Sequence, residues 1–166
     1  DTLSSLALEN FSGIALVEEY CKMKAAKKVA WRHPAFNYRF DAIVYCVTSA
    51  LGFAAIENVF YCVEEGFGLV ASRALLSVPS HAIDSLIMGY YFGLAKEAEP
   101  DGDRRRRKRF MRLSVLTPML THGFYDFALS LDADWILLLF FAFVIALDIW
   151  ASKFVKKQAR EDRMLA

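Results

Sequence analysis

Side chains that move protons or bind metals recur at intervals along an otherwise apolar chain. Glu18 and Glu19 stand together, with Lys22 four residues after the first. Glu57 is followed by Asn58, His81 by Asp84 three residues on, and His122 by Asp126 four residues on. An i, i+4 spacing stacks side chains on one helical face, so Lys22 is placed to neutralise the glutamate pair. By the same spacing Asp126 can fix the tautomer of His122, share a metal with it, or hold a positive charge on its ring.

The elements that carry these residues are expected to be membrane-spanning helices. Hydrophobic residues make up 56% of the 166, aromatic ones 14%, and the mean hydropathy is positive, which excludes an ordinary water-soluble domain. A helix crosses hydrocarbon in about 20 mainly apolar residues. Five such pieces lie at roughly 3–30, 41–63, 69–95, 111–130 and 135–152, so the sequence predicts an all-α, polytopic transmembrane helix bundle forming a single domain over 1–166. The last piece, between Trp135 and Trp150, is apolar all round and is expected to be lipid-facing scaffold.

Positive charge follows the odd pieces: Lys22 to Arg32 after the first, Arg104 to Arg109 after the third, Lys153 to Arg160 after the fifth. The other connections, EEGFG and SLDAD, are acidic. Basic loops stay on the cytoplasmic side, which predicts a multi-pass protein of the cytoplasmic membrane with its N-terminus outside and its C-terminus inside. The RRRRKR run is expected to be a solvated, topogenic loop, and nucleic acid is not an expected partner. The first residues lack a signal-peptide pattern, and a start at Asp1 without methionine leads us to expect further helices upstream. Cys21, Cys46 and Cys62 lack disulfide or zinc spacing and are expected to be buried small hydrophobes.

A charged side chain at the bilayer centre costs about 2.5–3.5 kcal/mol on insertion scales, so several of them need a reason. Singly, each has a bland one. A glutamate pair with a lysine can be a helix end, and a lone histidine an interhelical hydrogen bond. Arg73 is expected to snorkel to the outer surface and Asp148 to the inner one, with Glu64 and Glu65 in a solvated loop. These do not explain why four spans each present an acid or histidine at compatible depth while the fifth is nearly bare. Counted from the basic ends, Glu18, His81 and His122 fall at one level and Glu57 about a turn higher. Pro79 and Pro118, just ahead of the two histidines, each remove a helical hydrogen bond where a cavity can form.

The strings VEEYCK (17–22), GFAAIENVFY (52–61), SRALLSVPSHAIDSLIMGYYFG (72–93) and LTHGFYD (120–126) together resemble the PrsW family. Its motifs are Glu-Glu-x-x-Lys, Phe-x-x-x-Glu-Asn, a histidine ahead of a glycine, and His-x-x-x-Asp on successive helices. The resemblance implies an intramembrane protease, distantly similar to the CAAX-processing proteases, with a transmembrane or membrane-anchored substrate such as an anti-sigma factor. It marks Glu18, Glu19, Glu57, His81, His122 and Asp126 as site residues. The CAAX enzymes have histidine where this chain has Glu57, so their mechanism does not carry over unchanged.

Peptide hydrolysis needs an activated water, a polarised carbonyl and an acid for the leaving amine. Glu18 is the expected base. In a zinc version, His81, His122 and a carboxylate from Glu57 or Asp126 leave a position for water, and Glu19 answers Lys22. A metal-free version has Glu18 and one histidine deprotonate the water while the other histidine or Asn58 stabilises the oxyanion. Two histidines and several carboxylates exceed what one base needs, which favours zinc. The competing expectations are a proton or cation transporter built on the same cluster, for which inverted repeats would be expected, and a non-catalytic membrane binding protein.

Overall fold

The computed structural model describes residues 2–131 and 133–165, and for Leu69 the backbone alone. Asp1, on which the expectation of upstream helices rests, and Asp132 of the SLDAD connection lie outside the described residues. The first helical rod, α1, runs through an α-helical stretch Leu3–Leu8, a π-helical stretch Glu9–Ala15 and an α-helical stretch Leu16–Ala30. It is followed by α2 (Asp41–Glu65), α3 (Phe67–Glu97), α4 (Arg104–Leu129) and α5 (Asp134–Arg160). Among the described residues there are no strands, only an isolated bridge between Tyr38 and Met164 by which the C-terminal tail holds the α1–α2 connection.

Large apolar side chains cover much of the outside of the bundle, while a set of ionisable ones is buried within it. Leu138, Trp135 and Ile145 of α5 are exposed, as are Val59, Phe60 and Val63 of α2, whereas Glu19, Lys22, His81, Asp84 and His122 are buried. Helices α2 and α5 are each long and apolar enough to cross a membrane on composition alone. The other three turn ionisable residues inward, the arrangement hydrocarbon would require of them. The protein is a polytopic transmembrane helix bundle.

Close helix approach depends on small residues, as membrane packing does in general. A Cβ on Gly89 of α3 would lie 2.5 Å from the Ile43 Cα of α2, so the two backbones meet where no side chain fits between them. At the basic end, Met23, Ala26, Trp31, Phe36, Cys46, Met88, Phe92 and Val115 pack into one core; at the other end Tyr125, Ala128 and Phe140 form a second. The buried ionisable residues lie between these two apolar plugs.

The RRRRKR run corrects its expectation, being the first turns of α4 rather than a loop. Gly102, at a φ of 66°, turns the chain, and the Asp103 carboxylate accepts from the Arg106 N–H at 2.8 Å, capping an N-terminus that its own cations disfavour. Ahead of it, Glu99 accepts from Lys96 (2.7 Å), Trp31 Nε1 (3.1 Å) and Arg107 (3.2 Å), tying α1, α3 and α4 together. Partial burial raises the Glu99 pKa, but these donors outweigh it and hold the carboxyl below its ordinary value. Cys46 is buried as expected; Cys21 is exposed and Cys62 half-buried, facing outward from their helices.

Candidate active site

Four helices deliver one acid or histidine cluster each to the space between the two cores. In α1 the π-helical stretch precedes Glu18, and a widened turn of this kind shifts the face of a helix. Asn10, Ile14 and Glu18 consequently all border a cavity of about 440 Å³ whose other walls carry Glu57, Arg73, His81, His122 and Asp126. Asn10 anchors the wide turn through hydrogen bonds to the Leu6 carbonyl (2.9 Å) and Ser130 Oγ (3.3 Å).

The two imidazoles meet edge to face, ring centroids 5.2 Å apart, and each has one nitrogen turned inward and one turned to the cavity. Inward, His81 Nδ1 lies 2.9 Å from Lys22 Nζ, and His122 Nδ1 lies 2.8 Å from Glu19 Oε1. Toward the cavity, His81 Nε2 is 2.9 Å from Glu57 Oε2, while His122 Nε2 is 3.2 Å from Asp126 and 3.7 Å from Glu18. An ammonium only donates, so Nδ1 of His81 accepts and its Nε2 carries a ring proton toward Glu57, a proton that a metal bound at that nitrogen would displace.

Lys22 is the hub of the inner side. Its Nζ is 2.6 Å from Glu19 and 3.5 Å from Glu18, and 4.7 Å from the centre of the Phe53 ring. With both partners fully buried, the Lys22–Glu19 pair is structural: removing either leaves an uncompensated charge in a medium that does not solvate it. Glu57, expected about a turn higher than His81, reaches its Nε2 at 2.9 Å.

The residues that could hold a metal fall into two groups, each with ligand atoms within 4.8 Å of one another: Glu19, His81, Asp84 and His122 on the inner side, and Glu18, Glu57 and His81 on the cavity side. All four members of the inner group are buried, Glu19 and Asp84 behind the rings and out of reach of a substrate, whereas the cavity-side group borders the cavity with Glu18 and Glu57 partly exposed. In the cavity-side group, with the Nε2 of His122 beside Glu18, imidazole nitrogens meet carboxylates in the mixed donor set that divalent transition metals take. The residues present therefore fit a catalytic metal on the cavity side.

Two expected placements need correction. Arg73 does not snorkel outward: its guanidinium pairs with Glu57 Oε1 at 2.9 Å and lies 3.9 Å over the Tyr61 ring. Inside a bundle an ion pair with Glu57 is available to it, and the cavity supplies a polar lining. Asn58 accepts from Arg73 Nε at 3.0 Å and so braces that arginine rather than bordering the cavity. The signal for Arg73 was present, since positions 73, 77 and 81 repeat at four and line one cavity wall together. Asp84, three residues after His81, is buried against the Thr121 hydroxyl of α4, which donates to it.

A family model described as PrsW family intramembrane metalloprotease matches residues 1–151. The chain belongs to the PrsW family. Among curated relatives, it is 38% identical to Protease PrsW of Geobacillus kaustophilus over 80% of this chain and 57% of that protein. With Protease PrsW of Halalkalibacterium halodurans it shares 37% identity over 94% of this chain and 70% of that one. The match to Protease PrsW of Bacillus subtilis is 35%, over 76% and 56% respectively. The chain thus spans little more than half the length of several of the PrsW relatives it matches. No solved structure matches it. For this PrsW family chain, a metalloprotease description and a buried cluster of Glu, His and Asp that could bind a metal stand together.

Proposed function

We propose that this chain is an intramembrane peptidase that hydrolyses a peptide bond in or beside the bilayer with a water activated by Glu18. The observation that supports this most is the cavity-side arrangement: two imidazole Nε2 atoms and three carboxylates, from four helices, around a space of about 440 Å³. A transmembrane or membrane-anchored protein fits as substrate because the cavity lies between helices of a bilayer protein. An anti-sigma factor is one such substrate. The basic connections favour a multi-pass protein of the cytoplasmic membrane with its N-terminus outside.

In this reading Glu18 accepts the proton of the attacking water and passes it toward the leaving amine, which departs neutral once the C–N bond breaks. His81, His122 and Glu57 would hold a zinc ion, with Asp126 facing the same nitrogen of His122. When bound, zinc lowers the pKa of its water to ~7 and polarises the carbonyl. Arg73 positions Glu57. Glu19 and Lys22 keep the two rings in register from behind, so the part expected of Glu19 is support rather than proton transfer.

The test is cleavage of a transmembrane reporter peptide by the purified chain in liposomes, before and after a zinc chelator. Cleavage lost on chelation and restored by zinc is the expected result. Undiminished cleavage by chelated, metal-free protein would overturn the zinc assignment, and proton flux without cleavage would replace the peptidase by a transporter.

A further inference from the structure

A second cavity, of about 600 Å³, opens at the basic end of the bundle between α1 and α4. Its walls carry Lys27, Lys28 and Arg32 from α1 and Arg107 and Lys108 from α4, against one carboxylate, Glu99. That carboxylate is already engaged by Lys96, Arg107 and Trp31. Among the described residues, Lys27, Lys28, Arg32 and Lys108 make no ion pair. Cations converge there on two facing walls with nothing of opposite sign left to answer them.

We propose that this cavity binds the phosphate-bearing headgroup of an anionic phospholipid. Like charges held across a cleft repel, and an anion between them removes the penalty. Phosphate suits the mixture of lysine point charges and arginine forks. Trp31, buried and packed edge-on against Phe92 at 5.0 Å, keeps the α1 wall fixed.

A lipid is favoured over free phosphate by what adjoins the cavity on α1. Val17 and Tyr20 are 54% and 48% exposed and fall on one helical stripe with Lys24, Lys27 and Lys28. Apolar surface therefore leads from the cations toward mid-bilayer, a track for an acyl chain. Lys24 lies over the Tyr20 ring at 5.6 Å, which marks the change from apolar to charged along that stripe. This inference rests on the membrane placement of the bundle and is independent of the peptidase assignment.

Native mass spectrometry of the whole chain, titrated with phosphatidylglycerol or phosphatidylcholine, tests it. Phosphatidylglycerol should be retained and phosphatidylcholine not. The double variant Arg32→Gln/Lys108→Gln, one residue from each wall, should weaken phosphatidylglycerol binding by about tenfold or more. Arg104→Gln/Arg105→Gln removes the same charge from outside the cavity and should change binding by less than about twofold. Equal losses in the two variants, or equal retention of the two lipids, would overturn a built site. Displacement of phosphatidylglycerol by millimolar inorganic phosphate would overturn the lipid assignment.

Discussion

Each histidine of the site is held by a different kind of partner from behind, and this decides what substitution does. Glu19 compensates Lys22 and holds Nδ1 of His122 at once, so Glu19→Gln breaks a buried pair, a change that costs about 3–5 kcal/mol. The expected outcome is a lower midpoint of thermal unfolding, by about 2–4 °C for each kcal/mol in a chain of this size. Asp148→Asn, on the exposed face of α5, should leave that midpoint unchanged in the same calorimetric scan. Arg73→Ala acts differently, since it frees Glu57 without touching the inner cluster. A support residue of this kind is worth about 10–100-fold in metal affinity, which zinc titration of the purified variant would read, with little change in unfolding.

Helix placement carries the site because no single helix holds it. The contact of Gly89 with Ile43 sets the spacing of α2 and α3, and through it the Glu57–His81 hydrogen bond of 2.9 Å. Gly89→Ala should force the backbones apart at a cost of about 1–3 kcal/mol, seen as lower thermal stability together with reduced cleavage. At the basic end, the carboxyl of Glu99 is held below its ordinary value. Its contribution to stability is therefore present above the unfolded pKa, near 4.5, and is lost as pH falls through the folded one. Glu99→Gln should remove that part of the acid loss, measurable as a shallower fall of unfolding midpoint with pH. The ionisable residues on α1 to α4 and the bare α5 were legible from type and spacing, because hydrocarbon tolerates such residues only where they converge. The π-helical stretch at Glu9–Ala15 was not, since nothing in ENFSGIA distinguishes a wide turn from an ordinary one until Asn10 finds Ser130 across the bundle. Arg73 was misplaced because a depth count gives level but not direction around the helix. The RRRRKR helix start was missed because charge counting ignores the cap that Asp103 supplies.

The whole molecule combines two bands of polar residues, one enclosed between apolar cores and one at the basic end, inside an apolar exterior. The proposed orientation rests on the basic band: a reporter fused after Lys108 should behave as cytoplasmic, and the opposite result would overturn the proposed topology. The most direct test of the central claim is cleavage of a transmembrane reporter peptide by the chain in liposomes, wild type beside Glu18→Gln. The substitution keeps size and hydrogen bonding but cannot accept a proton, so a site that works through Glu18 should lose turnover by at least about 100-fold while inserting and unfolding as wild type does. Cleavage by Glu18→Gln at the wild-type rate would contradict the account.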